Sequence, residues 1–325
     1  MTASARTARR SSSPLSAQPP AAAIEIAAGR VTVAEIGTGP EGLVVTGFAS
    51  EPLPDAAVTP SLTGVNIADP AVVTAALRRA CEKAGMRPPK RAALVVPDTA
   101  ARVTLLTFEQ LPPRAADVDQ LIRWQIRKAT PFPLEEAQVS HVVVQQDPGA
   151  VTVAAIVARR DVIAQYEEAV TALGTLPGIV DLASLNVVNA VLAGGATSAG
   201  DWLLVCVSKE STALAIVRAG QLMFYRLRLA IDEEPLGALV HQTAMYHQDR
   251  LGGGTFARVW LCGSSWAEGG GEPIRREISE RLGVQAEPVD VRVVATLRDR
   301  ISVSPDVLDA IAAPLGVLVR ERKGA

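Results

Sequence analysis

Two rhythms of hydrophobic and polar positions alternate along the chain. Between residues 21 and 48 three short apolar runs, A-A-A-I-E-I, R-V-T-V-A-E-I and L-V-V-T-G-F, are parted by Ala28-Gly29 and by a Gly-Pro-Glu-Gly stretch. Short runs broken by glycine-bearing turns predict a three-strand meander that opens a sheet, its first hairpin turning at 27–30. The period then lengthens. Past a proline-rich loop, Val73, Ala76, Leu77, Ala80, Cys81 and Ala84 recur at helical spacing, with Asp69 as N-cap, Pro70 at the first helical position and Gly85 at the C-terminal end. The strand A-A-L-V-V-P follows.

From residue 98 the pattern predicts a strand over 102–108, an amphipathic helix, strands over 139–146 and 151–158 paired as a hairpin, and a helix over 161–173 ended by Gly174. In the amphipathic helix Val118, Leu121, Ile122, Ile126 and Ala129 share one side, Gln125 lies within that stripe and Trp124 sits at its edge. Pro131 and Pro133 stop the helix hard and hold Phe132 between two rigid residues. The block reads as a small α/β unit over 98–174, inserted into a first lobe made of 22–97 and 175–198. A return strand at 178–182 and a helix over 184–192 complete that lobe, and the Gly-, Ala- and Ser-rich stretch 193–200 reads as a hinge.

The second lobe, 199–325, repeats the opening. W-L-L-V-C-V, S-T-A-L-A-I-V and Q-L-M-F-Y-R-L-R-L predict another meander, followed by a helix over 235–251, the strand R-V-W-L-C, and helices over 273–282 and 305–318. Two lobes with the same opening form a long-period internal repeat.

Composition narrows the function. At 325 residues and 48% hydrophobic content the chain can build two cores. The net charge of −2 is scattered, which argues against nucleic acid as a partner. Cys81, Cys206 and Cys262 stand far apart inside apolar patterns, as buried thiols in a reducing compartment do. His141, His241 and His247 lack metal-ligand spacing, so no metal site is expected. The longest apolar runs have only strand length, so no direct membrane insertion is expected. Residues 1–21, rich in Ser, Ala, Pro and Arg, read as a disordered tail, with a transit peptide conceivable from composition. No G-x-S-x-G, P-loop or locally supported Ser/His/Asp set is present, and no catalytic residue is expected.

The stretch I-R-W-Q…P-F-P-L-E-E, then V-D-L-A-S-L-N at 180–186, A-G-Q-L-M-F-Y-R at 219–226, W-L-C-G, and A-P-L-G-V-L-V-R-E near the end together resemble the PilM family of type IV pilus assembly proteins. The resemblance implies an α/β fold of the actin-like, ribonuclease H-like duplicated type, two-lobed, with the inserted subdomain that PilM is similar to FtsA in carrying. It also implies an ATP cleft with two phosphate loops and an adenosine loop. Where intact members read D-I-G-S-S-S-V-K, this chain reads Glu25-Ile26-Ala27-Ala28-Gly29-Arg30-Val31-Thr32; where they read D-I-G, it reads Cys206-Val207-Ser208. The third loop keeps Gly263, followed by Ser264 and Ser265. If a nucleotide is retained, its contacts fall to Glu25, Gly29, Arg30, Ser208, Gly263 and Ser264. ATP with Mg2+ stays open as a cofactor, but loops this eroded favour a pseudo-ATPase.

For function the resemblance implies a cytoplasmic scaffold at the inner face of the inner membrane, among other pilus platform proteins. It would hold the cytoplasmic N-terminal peptide of a PilN-like bitopic membrane protein in a groove of the inserted block, with Trp124, Phe132, Val139, Val143 and Val153 as the regional lining. The alternatives are an actin-like ATPase and a GspL-like component of the type II secretion platform.

Overall fold

The computed structural model describes residues 20–40, 42–195, 200–266, 270–298, 301 and 303–320. The expected tail lies almost wholly, and the expected hinge partly, outside the described residues. The opening meander is β1 (Ala22–Ala27), β2 (Arg30–Gly39) and β3 (Gly42–Pro52), antiparallel, with Ala27 opposite Arg30 across a two-residue turn. α1 (Pro70–Lys83) starts where its punctuation places it: the Asp69 carboxylate accepts from the Ala71 and Val72 amides at 2.9 and 3.4 Å. The chain then enters β4 (Arg91–Val96), parallel to β1, and returns later as β8 (Leu176–Leu182), parallel to β4.

The second sheet repeats this order. β9 (Trp202–Val207), β10 (Ser211–Arg218) and β11 (Gln221–Leu229) form the second meander. α5 (Leu236–Leu251) leads to β12 (Arg258–Cys262), parallel to β9, and α6 (Gly271–Leu282) leads to β13 (Ala286–Pro288), parallel to β12. The strand orders β3-β2-β1-β4-β8 and β11-β10-β9-β12-β13 are the same, so the repeat inferred from the apolar runs is a repeat of topology. Two short strands have no counterpart in the sequence reading. One is β13; the other is β14 (Thr296–Leu297), which adds to the first sheet beside β3.

Strand alternation sorts side chains into layers. Along β4, Ala92, Leu94 and Val96 join a core with α1 and with α3 (Arg160–Thr171), while Ala93 and Val95 face the opposite layer. That opposite layer lies between the two sheets and is filled by α4 (Ala183–Ala193) and α7 (Pro305–Arg320). The helices cross so closely that a Cβ on Gly316 would lie 1.8 Å from the Asn186 carbonyl oxygen. Ala23, Ala34 and Ala93 line this inner face, and small side chains there let the helices approach the sheet.

The inserted unit is a three-stranded antiparallel sheet ordered β5 (Ala101–Phe108), β7 (Ala150–Arg159), β6 (Ala137–Asp147), covered by α2 (Ala115–Ile126). By packing, it ends at Arg159 rather than 174. α3 buries Val162, Tyr166, Ala169 and Val170 in the first lobe's core and holds the place there that α6 holds in the second. The stripe of α2 is also narrower than expected. Val118, Ile122 and Ile126 are buried and Leu121 is half-buried, but Ala129 is exposed on a 3-10 turn over Arg127–Ala129, and Gln125 is exposed too. A 3-10 turn advances side chains by about 120° instead of 100°, which carries Ala129 off the face that α-helical spacing would give it.

Candidate functional site

Between the lobes lies a cavity of about 630 Å3, at the carboxyl ends of β1, β4, β9 and β12 and the N-terminal ends of α4 and α7. Parallel strands and helix N-termini converge there, the place where open α/β sheets receive ligands. Of the six expected nucleotide contacts, Glu25, Gly29, Arg30, Ser208 and Gly263 line this cavity. Ser264 does not; its Oγ lies close to Gly271 at the start of α6.

Each of these residues already has protein partners or room around it. Glu25 is 4% exposed, and burial raises its pKa against the lowering pull of Arg30, whose Nη2 is 3.3 Å from its carboxylate. The Arg30 guanidinium stacks 4.7 Å from the ring centroid of Trp266, on the opposite lobe. Ser208 closes the β9–β10 turn, its hydroxyl donating to the Ser211 carbonyl at 3.1 Å and accepting from the Ser211 amide at 3.1 Å. Gly263 has φ +80°, and a Cβ there would sit 2.0 Å from the Val207 carbonyl oxygen, so packing against β9 demands glycine whatever the cleft holds. A Cβ on Gly29 would meet nothing within 4 Å.

Sequence reasoning missed the carboxylates that dominate the cleft. The Ala28 amide donates to Glu210 Oε1 at 3.3 Å, from one lobe to the other. Asp98, just past β4, accepts from the Ser184 amide at 3.1 Å and from its hydroxyl at 2.7 Å, which caps α4 from another element. Tyr225 of the second lobe brings its hydroxyl within 3.0 Å of Ser184 Oγ and donates to Asp98 Oδ1 at 3.3 Å. Burial pushes Asp98 up to about 6. Asp309 on α7 accepts from the Ser265 amide at 3.0 Å and from its hydroxyl at 2.6 Å. The available signal was position: Asp98 follows directly on the carboxyl end of a parallel strand.

With Glu25, Asp98, Glu210, Asp306 and Asp309 against Arg30 and Lys209, the lining is anionic in charge, and Lys209 is 3.0 Å from Asp55 across the cleft. Among the described residues no three His, Cys, Asp or Glu side chains gather as a metal ion would require. Among the described residues the lining thus meets a polyphosphate with five carboxylates and two cations, of which Arg30 is paired with Glu25 and Lys209 with the exposed Asp55. Cys206 and Cys262 are register partners on β9 and β12 at the floor of the cavity, and both are free thiols.

The residues expected to line a peptide groove divide among different faces. Val139 and Val153 are buried under α2 and face the insert's own core, and Phe132 is half-buried against that core. Trp124 is 71% exposed on the outer side of α2, and Val143 is exposed on β6. β6 and β11, each at the edge of its sheet, lie against each other, with Val144 of β6 packed into the core that Tyr225 of β11 borders. Val142 and Val143 on β6, Leu229 at the end of β11 and Ile231 just beyond it are exposed.

The model of the family described as Type IV pilus assembly protein PilM matches residues 23–230. Among solved structures, a PilM-PilN type IV pilus biogenesis complex is similar with a TM-score of 0.78 and 16% identity, covering 93% of this chain and 98% of that one. A Bacteroides thetaiotaomicron protein with an actin-like ATPase fold and unknown function has a TM-score of 0.50 at 10% identity, covering 92% and 95%. The cytoplasmic domain of EpsL, an inner membrane component of the type II secretion system of Vibrio cholerae, has a TM-score of 0.47 at 10% identity, covering 94% of each chain. No curated protein matches.

Proposed function

The chain belongs to the PilM family of type IV pilus assembly proteins, with an actin-like fold, and from that premise we propose that it serves in the assembly as a scaffold rather than an ATPase. It holds the cytoplasmic N-terminal peptide of a PilN-like inner-membrane protein, and so works at the inner face of that membrane through its partner. The solved relative is itself a complex of PilM with PilN. The single observation that carries this reading is the junction of β6 and β11. Two sheet edges meet there, and the strands that form them carry exposed apolar side chains, Val142 and Val143 on β6 and Leu229 on β11, with Ile231 just after. An extended peptide satisfies such edges with its backbone and seats alternate apolar side chains beside them. The cleft supports the other half of the reading, because the Ala28 amide is taken by the protein's own Glu210 and the lining carries more carboxylates than cations.

Calorimetric titration with the N-terminal peptide of the PilN-like protein, with and without Mg-ATP, tests the proposal. Saturable peptide binding that Mg-ATP leaves unchanged is the expected result. Ile231→Asp and Val143→Asp, at exposed positions that the folded core does not use, are each expected to weaken the peptide by roughly tenfold or more, the scale of a lost apolar anchor. No peptide binding together with clear Mg-ATP binding would transfer the assignment to an ATPase.

A further inference from the structure

Two backbone amides of cleft-lining residues donate to a side-chain carboxylate of the same chain, Ala28 to Glu210 and Ser184 to Asp98, and a third, Ser265, donates to the cleft-lining Asp309. Amides at a tight turn or a helix N-terminus attract anions, because the N–H groups lack backbone partners and carry partial positive charge. In this cleft the protein supplies those anions itself. One of the three contacts spans the lobes, and it has company. Lys209, next to Glu210 on the same β9–β10 turn, reaches Asp55 of the first lobe at 3.0 Å; Arg30 of the first lobe lies over Trp266 of the second; and Tyr225 of the second lobe hydrogen-bonds Ser184 and Asp98 of the first. The two meander turns that face each other are therefore joined directly.

From this geometry we infer that Glu210 is a built-in anion that occupies the β1–β2 turn and latches the two lobes together across the cleft in place of a bound polyphosphate. The inference rests on the scaffold reading only in that it explains how the mouth of the cleft closes without nucleotide; the core that α4 and α7 fill joins the lobes deeper down. The latch is local: Glu210 is half-buried at a turn, belongs to no hydrophobic core cluster, and can be changed without opening one. Lys209 adds a second, more exposed contact on the same turn, which high salt would weaken first.

Hydrogen exchange of the full chain, followed by mass spectrometry on the peptide that covers residues 27–30, separates the latch from a surface carboxylate with no such role. Glu210→Ala removes the acceptor and is expected to speed exchange at that turn by roughly tenfold, the effect of one lost charge-assisted hydrogen bond. Glu210→Gln keeps an acceptor oxygen but loses the charge, and is expected to fall between the native chain and Glu210→Ala. Unchanged exchange at 27–30 in Glu210→Ala overturns the inference, as does full native protection in Glu210→Gln, which would show that an acceptor suffices and no anion is needed. No peptide partner enters these measurements, so the latch and the peptide groove stand or fall separately.

Discussion

At the scale of single residues, two glycines that look alike in the sequence have different duties. Gly29 and Gly263 both fall in loops that the family resemblance assigns to nucleotide. Gly263 is held at φ +80° with β9's last carbonyl where a Cβ would be, whereas Gly29 lies outside the left-handed region and has open space beside it. Gly263→Ala is therefore expected to cost roughly 2–4 kcal/mol, from backbone strain plus the displaced carbonyl. Gly29→Ala is expected to stay within about 0.5 kcal/mol of the native chain. Urea unfolding of both variants measures the contrast, and equal costs would mean that the close approach to Val207 does not govern Gly263. The sequence could not separate the two, because a glycine letter records neither φ nor the neighbour that excludes a side chain.

At the scale of elements, α2 shows what periodicity captures and what it leaves out. Its burial at Val118, Ile122 and Ile126 follows from spacing, and the chain turns out of the helix before the Pro-Phe-Pro stretch. Spacing did not reveal that the helix tightens into a 3-10 turn after Ile126, which leaves Ala129 in solvent, or that Gln125, still within the helix, is exposed as well. Ile122 is fully buried at the centre of the insert's small core with Val139, Val153 and Val157. Ile122→Ala is expected to cost about 3 kcal/mol, within the usual range for a cavity of that size. Because the insert has a core of its own, the loss should appear as faster amide exchange in β5, β6 and β7 with the lobe sheets unchanged. A uniform loss across all three sheets would show that the insert and the lobes unfold as one unit.

For the whole molecule, the carboxylates that join elements set the dependence of stability on pH. Asp201, at the start of the second lobe's sheet, accepts from Arg218 Nη2 at 2.6 Å and from the buried His247, and the Arg218 hydrogen bond holds its carboxyl below the ordinary range. A depressed folded pKa contributes stability that is present above the unfolded value of about 3.9 and is lost as pH falls through the folded one. Asp98 works in the other direction. Burial raises it to about 6, so the folded state holds a proton that the unfolded chain has released, and that contribution is lost as pH rises from about 4 to about 6. Glu25, raised by burial, acts with Asp98. Urea midpoints between pH 3 and pH 8 are expected to rise from the acid end and then decline through the window around pH 4 to 6. Asp98→Asn, which keeps an acceptor for the Ser184 amide, should flatten that decline; an unaltered decline would place its source elsewhere.

The amino-acid sequence by itself determined the strands, the helices and the duplicated plan, because those depend on short-range spacing, on caps such as Asp69 and Pro70, and on turns at fixed offsets. Of the three loops that the resemblance marks, Glu25, Ser208 and Gly263 line one cavity, at or just past the ends of β1, β9 and β12, while Ser264 does not. Only the tertiary structure decided what fills that cavity with charge. Ala28 and Glu210 are 182 positions apart, Tyr225 and Asp98 127, and Lys209 and Asp55 154, and no local pattern in the chain pairs them. It likewise decided that α3 belongs to the first lobe's core, because α1 and the first sheet supply the apolar surface that α3 covers. Spacing tells a segment which of its sides is apolar; which other segment meets that side is set by the folding of the whole chain.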